Sequence, residues 1–378
     1  MTERRFDIDR LRVLAVLLLF PFHSAWIFTP FFPYVSHDPP ILGFIAFLGF
    51  VHQWHMHLFF ILAGMSTWYA LRKRSPGQYL VERLRRLLVP LVFGTLVVVP
   101  PLVWCRLKGD PDYTQSYLEF YPDFFDGVAP HGNFEWSHLW FVAYLLTFSV
   151  LALPLFAWLG RGGAARLTDG LAALCQRKGG LLLLGLPLAL IEAGFRPGWP
   201  GLQNLVDDWA NFLLYLTYFV YGYLLCSHEG LTRAIERNWR LARVLAIIGM
   251  LSFFTIHGLE ILPKGRPEYT PGYMAFQFFR GFNSWCWIVW LLGWGRVQLD
   301  FGSRLLDYAR EAALPYYILH HTPLMLTALV VIDWSIPAVI KWAIIVTSAF
   351  VATAVVYDLL VRRWWPVRLL FGMSRRQA

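Results

Sequence analysis

Charge is scarce in this chain. Asp, Glu, Lys and Arg make up only 15% of its 378 residues, against about 25% in soluble globular proteins, which leaves too little polar surface for a solvated domain of this size. Cysteine is sparse too. The four present, Cys105, Cys175, Cys226 and Cys286, fall singly in different segments with no CxxC spacing, which excludes a disulfide framework and a zinc-finger pattern. A contiguous basic face is also missing. The formal net charge of +9 is dispersed in short clusters between apolar runs, a distribution that reflects membrane topology and argues against nucleic acid as a partner. No internal repeat or low-complexity tract is visible, which weighs against an inverted-repeat transporter. The first apolar run reaches Phe32 without a small-residue cleavage site, so it reads as a retained span rather than a signal peptide.

Apolar side chains are what the chain has in quantity. Hydrophobic residues are 57% of the total and aromatics 17%, with a mean hydropathy of +0.49. A helix needs about 20 apolar residues to cross a bilayer, and candidate spans lie at 11–32, 41–71, 87–105, 138–159, 181–193, 209–226, 241–262, 273–294, 305–331 and 336–361. The fifth is short and interrupted by Pro187. The expected fold is therefore an all-α polytopic transmembrane helical bundle of about ten spans, in a single domain over residues 1–378.

The connecting segments alternate in charge. One set is rich in arginine, including Arg72, Arg74, Arg83, Arg85 and Arg86, then Arg233, Arg237 and Arg240, and finally Arg362, Arg363, Arg368, Arg375 and Arg376. The opposite set is poor in Lys and Arg, and its long member near 107–137 carries Asp110, Asp112, Glu119, Asp123, Asp126 and Glu135. The positive-inside rule then places both termini in the cytoplasm, in agreement with an even span count.

Within the spans the informative residues are histidines. His23 follows Arg12 by eleven residues, close to three helical turns, so the two share a helix face and differ in depth by roughly 16 Å. An imidazole buried half-way across an apolar span is a functional-site candidate by default. His52, His55 and His57 lie in the second span and His320 and His321 in the ninth, at a depth similar to His23. His52 and His55 are spaced to share a face, with His57 pointing elsewhere. Interhelical hydrogen bonding alone would account for any one of them. His-x-x-His could also supply two metal ligands, but no carboxylate accompanies it in that run, so no metal is expected.

Two further constellations stand at the ends of spans. Arg83-Leu84-Arg85-Arg86 precedes Pro90. Such a cluster ordinarily sets topology, yet guanidinium forks also match phosphate oxygens, and Arg12 lies at the same membrane face. Glu135-Trp136-Ser137-His138-Leu139-Trp140-Phe141 joins the acidic outer segment to the fourth span. Aromatics there serve as belt anchors, or, together with carboxylates, as a surface for sugars.

These residues carry a family resemblance. Asp9-x-Leu-Arg12 with His23 resembles the Arg-x10-His signature of the acyltransferase-3 family of integral membrane acyltransferases. Phe59-Phe60-Ile61-Leu62-Ala63-Gly64 resembles its FFxxSG segment, with Ala63 in place of serine, and Arg83-x-x-Arg86 matches its RxxR motif. Pro21-Phe22-His23, Ser137-His138-Leu139-Trp140-Phe141 and Leu319-His320-His321 are most similar to the glucan-modifying branch, typified by the succinyltransferase of periplasmic glucans. The resemblance implies O-acyl transfer, of a succinyl or acetyl group, from cytoplasmic acyl-CoA to a glycan hydroxyl across a bacterial inner membrane. It makes His23 the catalytic residue, supported by Asp9 and Arg12, and assigns Arg83 and Arg86 to the donor. His138, Trp140, Glu135, His55, His57, His320 and His321 become candidates for substrate contact.

The chemistry agrees with that implication. A thioester is already activated, so the missing component is a deprotonated hydroxyl, which a neutral histidine can provide as general base; transient acylation of His23 is the other route. The expected partners are the bilayer, acyl-CoA as co-substrate and a glycan, with no permanently bound cofactor. The alternative from a different class is a proton-coupled transporter or flippase with the histidines as its relay.

Overall fold

The computed structural model describes residues 4–31, 39–161, 164–259, 261 and 268–374. Phe32 and Leu262, which close the first and seventh predicted spans, lie outside the described residues, as do Arg375 and Arg376. The architecture is helical, with no β-strand among the described residues beyond an isolated bridge between Val128 and Phe134.

In chain order the helices are α1 (Phe6–Trp26), α2 (Leu42–His52), α3 (His55–Leu71) and α4 (Pro76–Leu107). A short α5 (Tyr117–Asp123) and a 3₁₀ turn (Ser137–Leu139) lead to α6 (Trp140–Leu151), α7 (Leu153–Gly160), α8 (Ala165–Cys175) and α9 (Gly185–Phe195). Then follow α10 (Trp209–Ser227), α11 (Glu229–Gly258), α12 (Pro271–Gln298), α13 (Arg304–Leu319), α14 (His321–Val331), α15 (Ala338–Val361) and α16 (Trp365–Leu370).

Each of the ten predicted spans coincides with helix. By length and apolarity, five stretches can cross a membrane: Leu42–Leu71, α4, α10, α11 and α15; two bent pairs, Ser137–Leu151 with α7 and α13 with α14, raise the number to seven. The outer surface agrees. Val244, Ile247, Ile248 and Leu251 form an exposed apolar stripe on α11 at helical spacing, as a lipid-facing helix requires. The chain is a multi-pass membrane protein.

Several predicted spans are broken rather than continuous. Prolines account for two of the breaks. Pro154 and Pro323 lack a backbone N–H and clash with the carbonyl four residues earlier, and the chain bends by 47° between α6 and α7 and by 53° between α13 and α14. Pro100 likewise lacks that N–H within α4, where a π-turn at Gly94–Val98 precedes it. The Leu96 carbonyl that Pro100 cannot serve accepts a hydrogen bond from the Tyr121 hydroxyl at 3.1 Å.

The helices divide into two compact units, each drawn from three chain segments. The first holds residues up to Arg12, Phe50–Leu80 and Thr147–Leu306. In it α3 crosses α10 backbone to backbone, because Gly64 faces the Phe219 carbonyl and Gly222 faces the Ile61 carbonyl with no room for a Cβ at either. Such small-residue crossings are how helices approach closely in membranes. On α12, Asn283 donates to the Leu245 and Ala246 carbonyls of α11 at 3.2 Å each. The second unit holds Val13–Gly49, Val81–Leu146 and the chain from Asp307 onward. There α14 packs on α15 and on the last turns of α4, pinned by a 2.7 Å bond from the Thr322 hydroxyl to the Val98 carbonyl. Trp342 of α15 donates to the Pro21 carbonyl of α1 at 3.2 Å.

Candidate active site

The second unit gathers four imidazoles. His23 comes from α1 two residues after Pro21, His320 and His321 from the bend between α13 and α14, and His138 from the 3₁₀ turn before α6. Ring centroids separate His23 from His321 by 4.6 Å and from His320 by 5.1 Å; His138 stands 5.2 Å from His320 and 5.1 Å from His321. The sequence brings them here through irregular backbone. Pro323 sets the bend that carries the His320–His321 pair, and Ser137, with φ at 44°, holds the left-handed conformation that non-glycine residues rarely adopt outside constrained sites.

Hydrogen bonds fix two of the four tautomers. The Ile318 carbonyl can only accept, so His138 donates to it from Nε2 at 2.9 Å, and Nδ1 keeps the lone pair. The Tyr317 carbonyl likewise takes a hydrogen from His320 Nδ1 at 2.7 Å, leaving Nε2 basic. Both remaining nitrogens, and Nδ1 of His321, are buried without a hydrogen-bond partner. The Tyr317 hydroxyl donates to the His138 carbonyl, and Phe20 sets its ring edge against His320. His138, His320 and His321 are buried while His23 is partly exposed. The arrangement is one accessible imidazole backed by three enclosed ones, two of which have nitrogens oriented as bases.

The neighbouring predictions fare differently. Trp140 is buried, 8% exposed, with its ring edge against Tyr144, which makes it part of the support for the His138 turn. Glu135 is engaged: Arg106 Nη1 donates to both of its oxygens at 3.1 and 3.2 Å. In the same outer segment, two hydrogen bonds from Ser116 hold the Glu119 carboxyl below the ordinary carboxylate range. Arg86 lies in a π-turn at Leu84–Leu88, nearly half exposed and paired with Glu82 at 3.3 Å; Arg83 immediately precedes that turn.

The first unit holds the remaining candidates. Arg12 donates from Nη2 to the Ser66 hydroxyl at 2.5 Å and pairs through Nη1 with Asp9 at 3.6 Å. Three residues before Ser66, Ala63 stands where the family motif has serine. His55 is buried against Phe59 and Trp54. The expected face-sharing of His52 with His55 is not what the fold produces. The helix breaks at Gln53–Trp54 between α2 and α3, which resets the register, and His52 lines a cavity together with His57.

That cavity also holds residues that the histidine-centred reading missed. Glu192 of α9, itself 1% exposed, accepts from Arg196 at 2.5 and 3.2 Å and from Arg280 of α12. Gly281 makes this possible, because its missing Cβ lets α12 lie against the backbone of Leu188 and Ala189 on α9. The signal was available: a carboxylate and a guanidinium each inside an apolar segment are rare and costly unless paired.

The chain matches the acyltransferase-3 family, described as an acyltransferase domain, over residues 5–362. It belongs to that family. As an acyltransferase-3 protein it is an acyltransferase, and the Arg12–His23 and Arg83–Arg86 motifs fall inside the matched region. Among curated relatives it is similar to Glucans biosynthesis protein C from Salmonella schwarzengrund and from Salmonella agona. Each is 21% identical over 332 residues, covering 84% of this chain and 82% of the relative. No solved structure matches the chain.

Proposed function

We propose that this acyltransferase moves an acyl group, succinyl or acetyl, from cytoplasmic acyl-CoA to a hydroxyl of a glucan on the far side of a bacterial inner membrane. The observation that carries the reading is the partly exposed His23 set against three buried imidazoles. His23 takes the proton of the acceptor hydroxyl, and the oxygen attacks the thioester carbonyl carbon. The C–O bond forms, the C–S bond breaks, and the coenzyme A thiolate recovers the proton from the imidazolium. Arg12, ordered by Asp9 and Ser66, and the half-buried Arg83 and exposed Arg86 suit the phosphates of the donor. His138, His320 and His321 orient His23, while Glu135 and Trp140 shape the acceptor side.

The name of the relatives supports a glucan acceptor, and the alternation of arginine-rich and acidic segments supports ten spans with both termini in the cytoplasm. Mass spectrometry of envelope glucans tests the reading in cells that lack the native gene and carry either wild type or His23→Ala at equal protein levels. Acyl-sized mass increments are expected with wild type and absent with the variant. Undiminished glucan modification by His23→Ala would remove His23 from the chemistry.

A further inference from the structure

The cavity in the first unit has a composition that acyl transfer does not explain. It encloses about 90 Å³ and is lined by His52, Gln53, His57, Glu192, Arg196 and Arg280 among others. A cavity of this volume and polarity is not left empty, since polar voids larger than about 15 Å³ take up water or a ligand. The question is what occupant its walls favour.

The carboxylate in its lining is already engaged. Glu192 takes three guanidinium hydrogen bonds. Asp208, the next carboxylate, receives the Gln203 amide N–H at 3.0 Å and the Asn211 side chain at 3.1 Å. Arg196 is engaged as well, with Glu192, Asn211 Oδ1 at 2.8 Å and the Trp199 and Pro200 carbonyls at 3.5 and 3.4 Å. The unused capacity is on the donor side. Arg280 commits only Nη2 to Glu192, which leaves Nε and Nη1, and it remains about a quarter exposed toward the cavity. His57 is 8% exposed and its Nδ1 has no hydrogen-bond partner, a group that needs an occupant to be satisfied. Two guanidiniums against one carboxylate leave the lining one positive charge in excess, which makes an acceptor-rich, negatively charged occupant the best fit.

We propose that this cavity is an oxyanion site sized for one carboxylate or phosphate group, held by Arg280 and His57. The group is either free in solution or the headgroup of an anionic lipid. Glu192 and Arg196 form the scaffold that keeps Arg280 in place.

Equilibrium titration of the purified full chain tests this, with inorganic phosphate and acetate as probes, in phosphatidylcholine nanodiscs and in phosphatidylglycerol nanodiscs. Saturable one-site binding of phosphate or acetate in phosphatidylcholine is expected, with Kd of about 1 mM or tighter. Arg280→Gln weakens it about tenfold or more. His57→Phe, which leaves the guanidinium–carboxylate pairs intact, weakens it severalfold at unchanged melting temperature. Loss of probe binding in phosphatidylglycerol assigns the site to a lipid headgroup, and retention assigns it to a free oxyanion. Absence of saturable binding in phosphatidylcholine by folded wild type, or unchanged affinity in both variants, would overturn the proposal.

Discussion

An imidazole with one N–H fixed on a carbonyl presents a base at its other nitrogen, which is Nδ1 in His138 and Nε2 in His320. The Tyr317 side chain and backbone support both of them. Removing its hydroxyl by Tyr317→Phe should cost roughly 1 kcal/mol of stability, the usual value of one hydrogen bond, and lower turnover because the His138 turn loses its anchor. Thermal melting together with kcat measures both effects, and an unchanged kcat would separate Tyr317 from the site. Arg12→Lys keeps the charge but loses the planar fork that reaches Ser66 and Asp9 together, so the apparent KM for acyl-CoA should rise about tenfold or more. A KM equal to wild type would reduce Arg12 to topology. At this scale the sequence was only partly legible. His23, His320 and His321 could be found from depth alone, since polar groups in apolar runs stand out. His138 read as an interface residue because nothing local announces that Ser137 turns it inward. Glu192 and Arg280 followed the same depth rule but meet only through the α9–α12 crossing.

Helices were legible as apolar stretches, but their interruptions were not. Pro154 and Pro323 break spans where steric rules require, and both positions could be read in advance. The break at Gln53–Trp54 has no proline, and it alone decides that His52 joins His57 rather than His55. Crossings were less legible still, since glycine in a membrane helix is common and only the partner backbone shows which one matters. Gly64→Val would drive a side chain into the Phe219 carbonyl. Overpacking of this kind costs about 1–3 kcal/mol or more, so the variant should lose monodisperse protein on size exclusion. Gly43→Ala, at a position with nothing within 4 Å, should leave the elution profile unchanged. Equal behaviour of the two variants would show that the α3–α10 contact is dispensable.

For the molecule as a whole, composition sufficed to establish a multi-pass membrane protein, and motif order sufficed for the family. The orientation proposed from charge alternation predicts that single cysteines introduced into 229–240 label only from the cytoplasm and those in 107–137 only from outside. Labelling of both segments from one side would reverse or break the ten-span arrangement. The account as a whole requires that one imidazole couple a donor in one compartment to an acceptor in the other. The direct measurement is transfer in proteoliposomes that enclose glucan, with acyl-CoA carrying a radiolabelled acyl group supplied outside and the Arg83–Arg86 face oriented outward. Wild type should place label on the enclosed glucan, and His23→Ala should reduce the rate by about 10²–10⁴-fold, the usual contribution of a general base. Label reaching the glucan at the wild-type rate with His23→Ala would contradict the account.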